Sequence, residues 1–235
     1  MNPTLIRAFL LQRFTSPMRL GLTSLFTFFP LVGVAISGEL ALLGGIAGPL
    51  AVLFAAGAIG QDVSSGTLQL LLVRPVTRPG YVLNRWLGAM FAALGVVLMT
   101  ILCAVLLLYL RSTPPDALAL SRLVLDSVTT IAGHAAVMLM LSSLVGGVGD
   151  VALYAASLFV AQMLVVLATW QQWAWLMRAA TVIQGVLGAK LSWAWLGTGM
   201  APSAFDIVSW ASTLTLALAV AIAAMNRKEL SYASG

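Results

Sequence analysis

Long apolar stretches alternate with short polar segments along the whole chain. Six of the stretches hold almost no charged side chain, and each can cross the ~30 Å hydrocarbon layer of a bilayer as a helix of about 20 residues. They cover residues 20–37, 40–59, 86–110, 118–145, 151–169 and 205–225. Because the strict alternation of a membrane β-strand is absent, the pattern predicts an all-α polytopic membrane protein, with one domain over residues 1–235.

The composition supports this prediction and removes two other classes of protein. Hydrophobic residues make up 61% of the chain and charged residues 8%, whereas a soluble domain carries about 25% charged residues. The net charge of +5 does not indicate a nucleic-acid partner, because the basic residues are spread over the loops instead of forming a patch. Cys103 is the single cysteine, so no intrachain disulfide can form.

The basic residues also predict the orientation of the chain in the membrane. With the N-terminus in the cytoplasm, eight of them fall on the inner side, namely Arg7, Arg13, Arg19, Arg74, Arg78, Arg85, Arg227 and Lys228. Four fall on the outer side, namely Arg111, Arg122, Arg178 and Lys190. Since basic residues accumulate in cytoplasmic loops, we expect both termini in the cytoplasm.

The segment 1–19 predicts a short amphipathic helix at the membrane surface. Within residues 5–14, one helical face collects Ile6, Phe9, Leu10 and Phe14. We expect Arg7 and Arg13 to reach the lipid head groups from this helix. A simple membrane anchor is the role that the pattern favours.

Tryptophans concentrate in the segment 170–204, before the last apolar stretch. Six of the seven tryptophans lie between Trp170 and Trp210, and the tetrapeptide WAWL occurs at 173–176 and again at 193–196. Tryptophan favours the membrane interface, and the apolar run between the two copies is too short to cross. We predict a re-entrant or interfacial hairpin on the outer face. An aromatic belt without a role in transport is the alternative.

The sequence contains none of the common motifs for nucleotide hydrolysis or metal-dependent catalysis. It lacks the glycine-rich loop that ends in Gly-Lys-Ser/Thr, the His-Glu-x-x-His helix and the Gly-x-Ser-x-Gly turn. We therefore predict that the chain is not an enzyme and holds no metal or cofactor of its own.

Polar side chains recur at four-residue steps in the fourth apolar stretch. Arg122, Asp126, Thr130 and His134 would share one helical face. Intramembrane polar residues often mark functional sites, so Arg122, Asp126 and His134 form a possible intramembrane polar site. An interfacial ion pair between Arg122 and Asp126 is sufficient to explain those two. For His134, a buried hydrogen-bonded histidine is favoured over a proton or metal role.

The longest polar interruption of the chain is the segment 61–85. Ser64 or Ser65 can cap a short helix, and Pro75 disfavours helical geometry at Arg74. Between them Leu68, Leu71 and Leu72 fall at helical spacing and form one apolar stripe. Such a helix, over residues 65–73, can lie in a groove of another protein or on the lipid head groups.

The same segment resembles the signature of type-2 ABC exporter permeases. The resemblance lies in Asp62, the run Gly66-Thr67-Leu68, the pair Leu71-Leu72, the run Pro75-Val76-Thr77-Arg78, and Arg85 before the third stretch. Six spans, an N-terminal interface helix and a hairpin before the last span are also similar to that fold. Asp62 stands where glutamate is common, Arg85 stands where lysine is common, and Pro79 follows Arg78.

The resemblance implies that the chain is a half-transporter of a bacterial or archaeal inner or plasma membrane. Two permease chains would pair, and each would dock on a separate ABC ATPase subunit that binds ATP and Mg²⁺. The helix 65–73 would be the coupling helix. The coupling residues implied are Asp62, Gly66, Thr67, Leu68, Leu71, Leu72, Arg74, Pro75, Arg78 and Arg85.

Two other functions remain as alternatives. The chain could be a scaffold or assembly subunit that transmits ATPase motion to partner proteins without transport. It could also be an ion-coupled secondary carrier with Asp126 and His134 as a proton relay. The carrier ranks last, because the sequence shows no convincing inverted repeat and this function leaves the segment 61–85 unexplained.

Overall fold

A computed structural model describes residues 3–68, 77–147, 149–196 and 203–227. The N-terminal helix is Pro3–Phe14, and span 1 is the helix Pro17–Ser37. Span 2, Leu40–Ser64, contains a 3₁₀ helix at Leu40–Gly45 and α-helices at Ala47–Ala55 and Gly60–Ser64. The remaining helices are span 3 (Arg78–Leu110), span 4 (Ala117–Leu144), span 5 (Gly149–Gln171), the hairpin helix (Ala174–Leu187) and span 6 (Ala204–Arg227).

The described residues confirm an all-α fold with six helical segments long and apolar enough to cross a membrane. Span 3 begins at Arg78, before the predicted start at residue 86. Thr77 explains the early start, because its hydroxyl accepts a hydrogen bond from the Gly80 N–H at 3.3 Å and so caps the helix. Residues 78–85 of the predicted polar segment therefore belong to span 3.

Span 4 is the centre of the bundle and packs against spans 2, 3, 5 and 6. Its residues from Ile131 to Leu139 are all buried. Two tryptophans donate their indole N–H to span 4 carbonyls at 3.1 Å, Trp86 of span 3 to Ala132 and Trp210 of span 6 to Thr129. Hydrogen bonds as well as packing thus hold spans 3 and 6 in position against span 4.

The bundle has two ends with different contents. The N-terminal helix, the last turn of span 2, the start of span 3 and the last residues of span 6 meet at one end, named here the terminal end. The hairpin helix leads away from the last turn of span 5 at the opposite end, named the hairpin end. The two predicted functional regions therefore lie at opposite ends of the bundle.

The N-terminal helix is present, but one of its arginines has a different environment from the one expected. Phe9 and Arg13 are each only 1% exposed, and Phe9 packs on span 3 at Gly88. The guanidinium of Arg13 donates to the carbonyl of Ala56 in span 2 at 2.7 Å. The prediction that Arg13 reaches the lipid head groups is therefore wrong, because a backbone carbonyl inside the protein binds it instead.

Span 2 is interrupted at residues 56–59, between its two α-helices. Gly57 has a φ of +66°, a left-handed conformation that most residues avoid. At Gly60 an added Cβ would lie 2.7 Å from the carbonyl oxygen of Gly147 and 2.8 Å from that of Val145. The break thus needs glycine for conformation at one position and for close backbone approach at the other.

Gly60→Ala is therefore expected to destabilise the protein by about 1–3 kcal/mol, because the backbone of residues 145–147 must move to admit the methyl group. Thermal unfolding of the detergent-purified protein measures the effect. Gly95→Ala in span 3 is the matched control, since no atom lies within 4 Å of its added Cβ. Equal melting temperatures for the two variants would contradict the close approach at Gly60.

Candidate functional site

The break in span 2 exposes backbone groups inside the bundle, and side chains from four other elements bind them. The carboxylate of Asp150 accepts the Gly57 N–H at 2.6 Å. The hydroxyl of Ser142 accepts the N–H groups of Ile59 and Gly60 at 3.1 and 2.9 Å. Both side chains belong to residues that are 0% exposed. Unpaired backbone groups in a membrane cost several kcal/mol each, so these bonds are what makes the break tolerable.

Arginines bind the carbonyl side of the same break. The Ala56 oxygen accepts from Arg13 at 2.7 Å and from Arg19 at 3.5 Å. Arg19 also lies 3.4 Å from the side-chain oxygen of Gln61. We name Arg13, Arg19, Ser142 and Asp150 the break cluster. It joins the N-terminal helix, span 1, span 4 and span 5 to one interruption of span 2.

Burial and the neighbouring arginines shift the pKa of Arg13 in one direction, and the neighbouring carboxylates shift it in the other. The pKa of Arg13 is lowered to about 9, chiefly by burial and in smaller part by repulsion from Arg19 and Arg85. Asp62 and Asp150 act against that shift, because each raises the pKa of Arg13. A group with this pKa is protonated at neutral pH, so Arg13 brings a positive charge to the break.

Asp62, at the last turn of span 2, is the centre of a second set of contacts. Its carboxylate forms an ion pair with Arg85 of span 3 and accepts a hydrogen bond from the hydroxyl of Tyr81. The guanidinium of Arg85 lies 4.9 Å from the ring centre of Phe9, and that of Arg13 lies 4.6 Å from the same ring. We name Asp62, Tyr81, Arg85 and Phe9 the Asp62 clamp. Cations within about 6 Å of an aromatic ring are attracted to it, so Phe9 links the clamp to the break cluster.

Arg78 ties span 3 to the end of span 6. Its guanidinium donates to the carbonyl oxygens of Met225 and Asn226 at 3.1 and 2.7 Å. These carbonyls belong to the last turn of the helix, where backbone acceptors lack partners and the helix dipole favours a cation. The start of span 3 thereby holds both span 2, through Arg85, and span 6, through Arg78.

The predicted coupling residues other than Leu68 fall into three groups. Asp62, Arg78 and Arg85 meet at the terminal end in the contacts just described. Gly66 has a φ of +72° and follows the helix Gly60–Ser64, where a left-handed residue ends the helix, and the Thr67 hydroxyl lies 2.8 Å from that of Ser65. The third group, Leu71, Leu72, Arg74 and Pro75, lies outside the described residues.

Leu68 has a different position from the one that its spacing predicted. Only 4% of the residue is exposed, and it belongs to the same apolar cluster as Ile59, Tyr81 and Met225. The expectation that Leu68 lies on an exposed stripe for a partner is wrong, because the chain's own core takes it. Leu68 instead anchors the segment to the bundle.

At the hairpin end, the predicted polar residues of span 4 bind an extended backbone. Arg122 donates to the Leu196 carbonyl, Asp126 accepts the Trp193 N–H at 2.7 Å, and the Thr129 hydroxyl donates to the Leu191 carbonyl at 3.1 Å. These partners lie in residues 188–196, which follow the hairpin helix without forming a regular element. The interpretation of Arg122 and Asp126 as an ion pair is therefore wrong. Each binds a separate peptide group of residues 188–196, which we name the returning limb.

The hairpin itself reaches deep into the bundle. The hairpin helix packs along span 5, and the Tyr154 hydroxyl donates to the Leu187 carbonyl at 3.3 Å. At Gly133 an added Cβ would lie 2.0 Å from the Ala189 carbonyl oxygen, so the hairpin backbone touches the span 4 backbone there. Within each WAWL copy the two indoles lie together, 6.1 Å apart in Trp173–Trp175 and 5.4 Å apart in Trp193–Trp195.

His134 lies one residue beyond this contact and is 9% exposed. Its Nδ1 is 2.9 Å from the carbonyl oxygen of Thr130, the residue one helical turn earlier. Among the described residues, no group of three His, Cys, Asp or Glu side chains is placed to hold a metal ion. The structure therefore favours the interpretation of His134 as a buried hydrogen-bonded histidine.

Some residues of the site carried only a weak sequence signal. Asp150 follows a glycine-rich turn in the sequence, and the amphipathic pattern of residues 5–14 places Arg13 at the lipid surface. The sequence signal that could have identified them is the pair Gly57 and Gly60 inside an apolar stretch. An interrupted span must draw polar partners from elsewhere in the chain, so charged residues beside the apolar stretches become candidates.

Six spans, an interrupted second span and a hairpin before the last span define a polytopic helical membrane protein. The chain matches the family model of the ABC-2 family transporter protein over residues 12–234. Because the match covers nearly the whole chain, the protein belongs to this family and is an ABC exporter permease in general function. No curated protein matches the chain.

Replacing Asp150 tests the break cluster. Asp150→Ala removes the acceptor of the Gly57 N–H and leaves Arg13 less compensated, and is expected to cost about 3 kcal/mol of stability. Asp150→Asn keeps an acceptor oxygen and is expected to cost about 1 kcal/mol. Chemical denaturation of the purified protein measures both, with Glu39→Ala at an exposed position as control. Equal losses for Ala and Asn would show that the hydrogen bond contributes nothing.

Replacing Asp126 tests the attachment of the returning limb. Asp126→Ala is expected to raise hydrogen–deuterium exchange in residues 188–196 about tenfold, because the Trp193 N–H loses its acceptor. Asp116→Ala is the matched control, since Asp116 caps the start of span 4 and does not bind the hairpin. Unchanged exchange in 188–196 would mean that packing alone holds the limb.

Proposed function

We propose that the protein is the membrane subunit of an ABC exporter, in which two copies of the chain dock on separate ATPase subunits that bind ATP and Mg²⁺ and drive translocation. The observation that carries the proposal is the Asp62 clamp. It fixes the last turn of span 2, from which the predicted coupling segment continues, to the N-terminal helix and span 3, while Arg78 extends the connection to span 6. A force applied to that segment is thus delivered to several spans at once.

The proposed orientation places the terminal end in the cytoplasm. Arg7, Arg13, Arg19, Arg78, Arg85 and Arg227 belong to elements of the terminal end. Arg111, Arg122 and Arg178 belong to elements near the hairpin end. This distribution supports cytoplasmic termini by the positive-inside rule. The ATPase would then meet the coupling segment from the cytoplasm.

Energy coupling in this proposal is a difference in binding energy between two arrangements of the spans. The ATPase must bind the segment more tightly in one arrangement, because a partner with equal affinity for both arrangements does not shift the equilibrium between them. The exposed side chain of Thr67 and the sequence-predicted coupling residues Leu71 and Leu72 supply the docking face. The Asp62 clamp does not need to touch the ATPase, since its role is transmission.

Docking and transmission can be separated by two substitutions. Leu71→Asp is expected to reduce co-purification of the cognate ATP-binding subunit at least tenfold, because a carboxylate replaces an apolar anchor. Leu110→Asp, at an exposed leucine of the hairpin end, is the matched control and should leave co-purification unchanged. Retained binding by Leu71→Asp would contradict docking through residues 65–73.

Asp62→Asn should keep the ATP-binding subunit bound and lower the stimulation of its ATP hydrolysis, because the charge that pairs with Arg85 is lost. ATPase assays on the reconstituted complex measure the effect. Full stimulation in this variant would show that the clamp does not take part in coupling.

The secondary-carrier alternative has no support in the geometry, since Asp126 and His134 both bind backbone groups.

A further inference from the structure

The break in span 2 has the geometry of a type II β-turn. Ala56 has a φ of −53° and a ψ of 126°, and Gly57 has a φ of +66°. The Ala58 N–H donates to the Ala55 carbonyl oxygen at 3.0 Å and closes the turn. A type I turn differs mainly by rotation of the central peptide group, and its dihedral angles are close to those of a helix. Rotation of one peptide group therefore separates the break from helical geometry.

The hydrogen bonds on both sides of this turn already follow the helical pattern. The Ala56 N–H donates to the Val52 carbonyl oxygen at 2.8 Å, and the Gln61 N–H donates to that of Gly57 at 3.2 Å. Both bonds connect residues four positions apart, as in an α-helix. The N–H groups of residues 57–60 are the ones that depart from the pattern. A continuous helix would need to regain the bonds of these groups alone.

The break cluster binds the same backbone groups that would close the helix. In a continuous helix the Gly60 N–H would donate to the Ala56 carbonyl oxygen, four residues earlier. Arg13 binds that oxygen at 2.7 Å, and Ser142 binds that N–H at 2.9 Å. The side chains and the helix thus compete for one donor and one acceptor.

The peptide group between Ala56 and Gly57 lies between two opposite charges. Arg13 binds its carbonyl oxygen at 2.7 Å, and Asp150 binds its N–H at 2.6 Å. The oxygen and the hydrogen of a trans peptide point to opposite sides. Rotation would therefore turn the oxygen toward the carboxylate and the N–H toward the guanidinium, which both charges oppose. The charges hold the turn in its type II form.

Arg13 and Asp150 are close enough to attract each other without forming an ion pair. Asp150 is one of the carboxylates that raise the pKa of Arg13, yet the one ion pair of the described residues joins Asp62 and Arg85. Within the same part of the chain, the Nε atom of Arg13 is buried without a hydrogen-bond partner. Once the peptide group rotates out of their way, the two side chains can bind each other, so a continuous helix would leave neither charge unpaired.

We propose that span 2 is a two-state element, in which residues 56–60 alternate between the broken form of this structure and a continuous helix. Arg13, Ser142 and Asp150 stabilise the broken form through the backbone, and in the continuous form Arg13 and Asp150 bind each other. The predicted coupling segment follows these residues, so a partner that favours one form repositions the segment against the rest of span 2. This role in coupling rests on the proposed function, whereas the switch itself does not.

NMR of the purified chain observes the switching peptide group directly. Labelling with ¹³C-alanine and ¹⁵N-glycine selects the Ala–Gly peptide groups, namely Ala47–Gly48, Ala56–Gly57 and Ala132–Gly133. We expect an extended-backbone Cα shift for Ala56 in the unmodified protein and in Asp150→Asn, which keeps an acceptor oxygen for the Gly57 N–H. In the double variant Arg13→Met/Asp150→Val neither side chain holds the peptide group. The Ala56 Cα shift is then expected to move into the helical range.

Substitution of Gly57 tests whether coupling needs both forms. Alanine disfavours the left-handed conformation and favours a helix, so Gly57→Ala should populate the continuous form, whereas asparagine tolerates the left-handed conformation. Both substitutions add a Cβ whose nearest neighbours are atoms of the flexible Gln61 side chain, which makes them a matched pair. In the complex reconstituted with the cognate ATP-binding subunit, Gly57→Ala is expected to lower the stimulation of ATP hydrolysis about tenfold relative to Gly57→Asn.

Each measurement has a result that overturns its part of the proposal. An Ala56 Cα shift that stays extended in the double variant would show that the turn does not switch. Equal stimulation by Gly57→Ala and Gly57→Asn would show that coupling does not use the switch, and this comparison is decisive even where the double variant does not fold. An unmodified chain that fails to stimulate the ATPase would instead contradict the proposed function, while the NMR result on the chain alone would stand.

Discussion

Where a helix is interrupted inside a membrane, its free peptide groups have no water to bind and must find partners within the protein. The terminal end of this protein is built around one such interruption. The interruption of span 2 at residues 56–59 frees N–H groups and a carbonyl within the bundle. Four side chains from four elements bind these groups, and two of them are arginines. The need to satisfy this backbone thus determines where the N-terminal helix, span 1, span 4 and span 5 meet.

At the hairpin end, span 4 again binds backbone groups that lie outside a regular helix. Residues 188–196 run without regular structure, and Arg122, Asp126 and Thr129 of span 4 bind their backbone. Span 4 therefore supports an interrupted segment at both ends, through Ser142 at one and through this polar line at the other. Its central burial follows from that double role as much as from its apolar side chains.

The spans were predictable from sequence because lipid imposes a length and an apolar composition on every crossing helix. The contacts of Arg13 were not, because they depend on where span 2 breaks, and only the glycines at 57 and 60 mark that position. Leucine spacing placed Leu68 on a helical face but did not tell whether the face meets a partner or the chain itself. Likewise, a four-residue step between Arg122 and Asp126 fits an ion pair and fits two separate backbone bonds equally well.

The joint between spans 3 and 6 has a consequence for how the protein can vary. Arg78 binds the carbonyl oxygens of residues 225 and 226, not their side chains. Every amino acid carries that oxygen, so these hydrogen bonds require no particular side chain at either position, and it is core packing alone that constrains Met225 while Asn226 is exposed. What the joint demands is that the helix of span 6 continues to this point. The hydrogen bonds of the joint are thus independent of side-chain identity in span 6, whereas on the side of span 3 they depend on the guanidinium of Arg78.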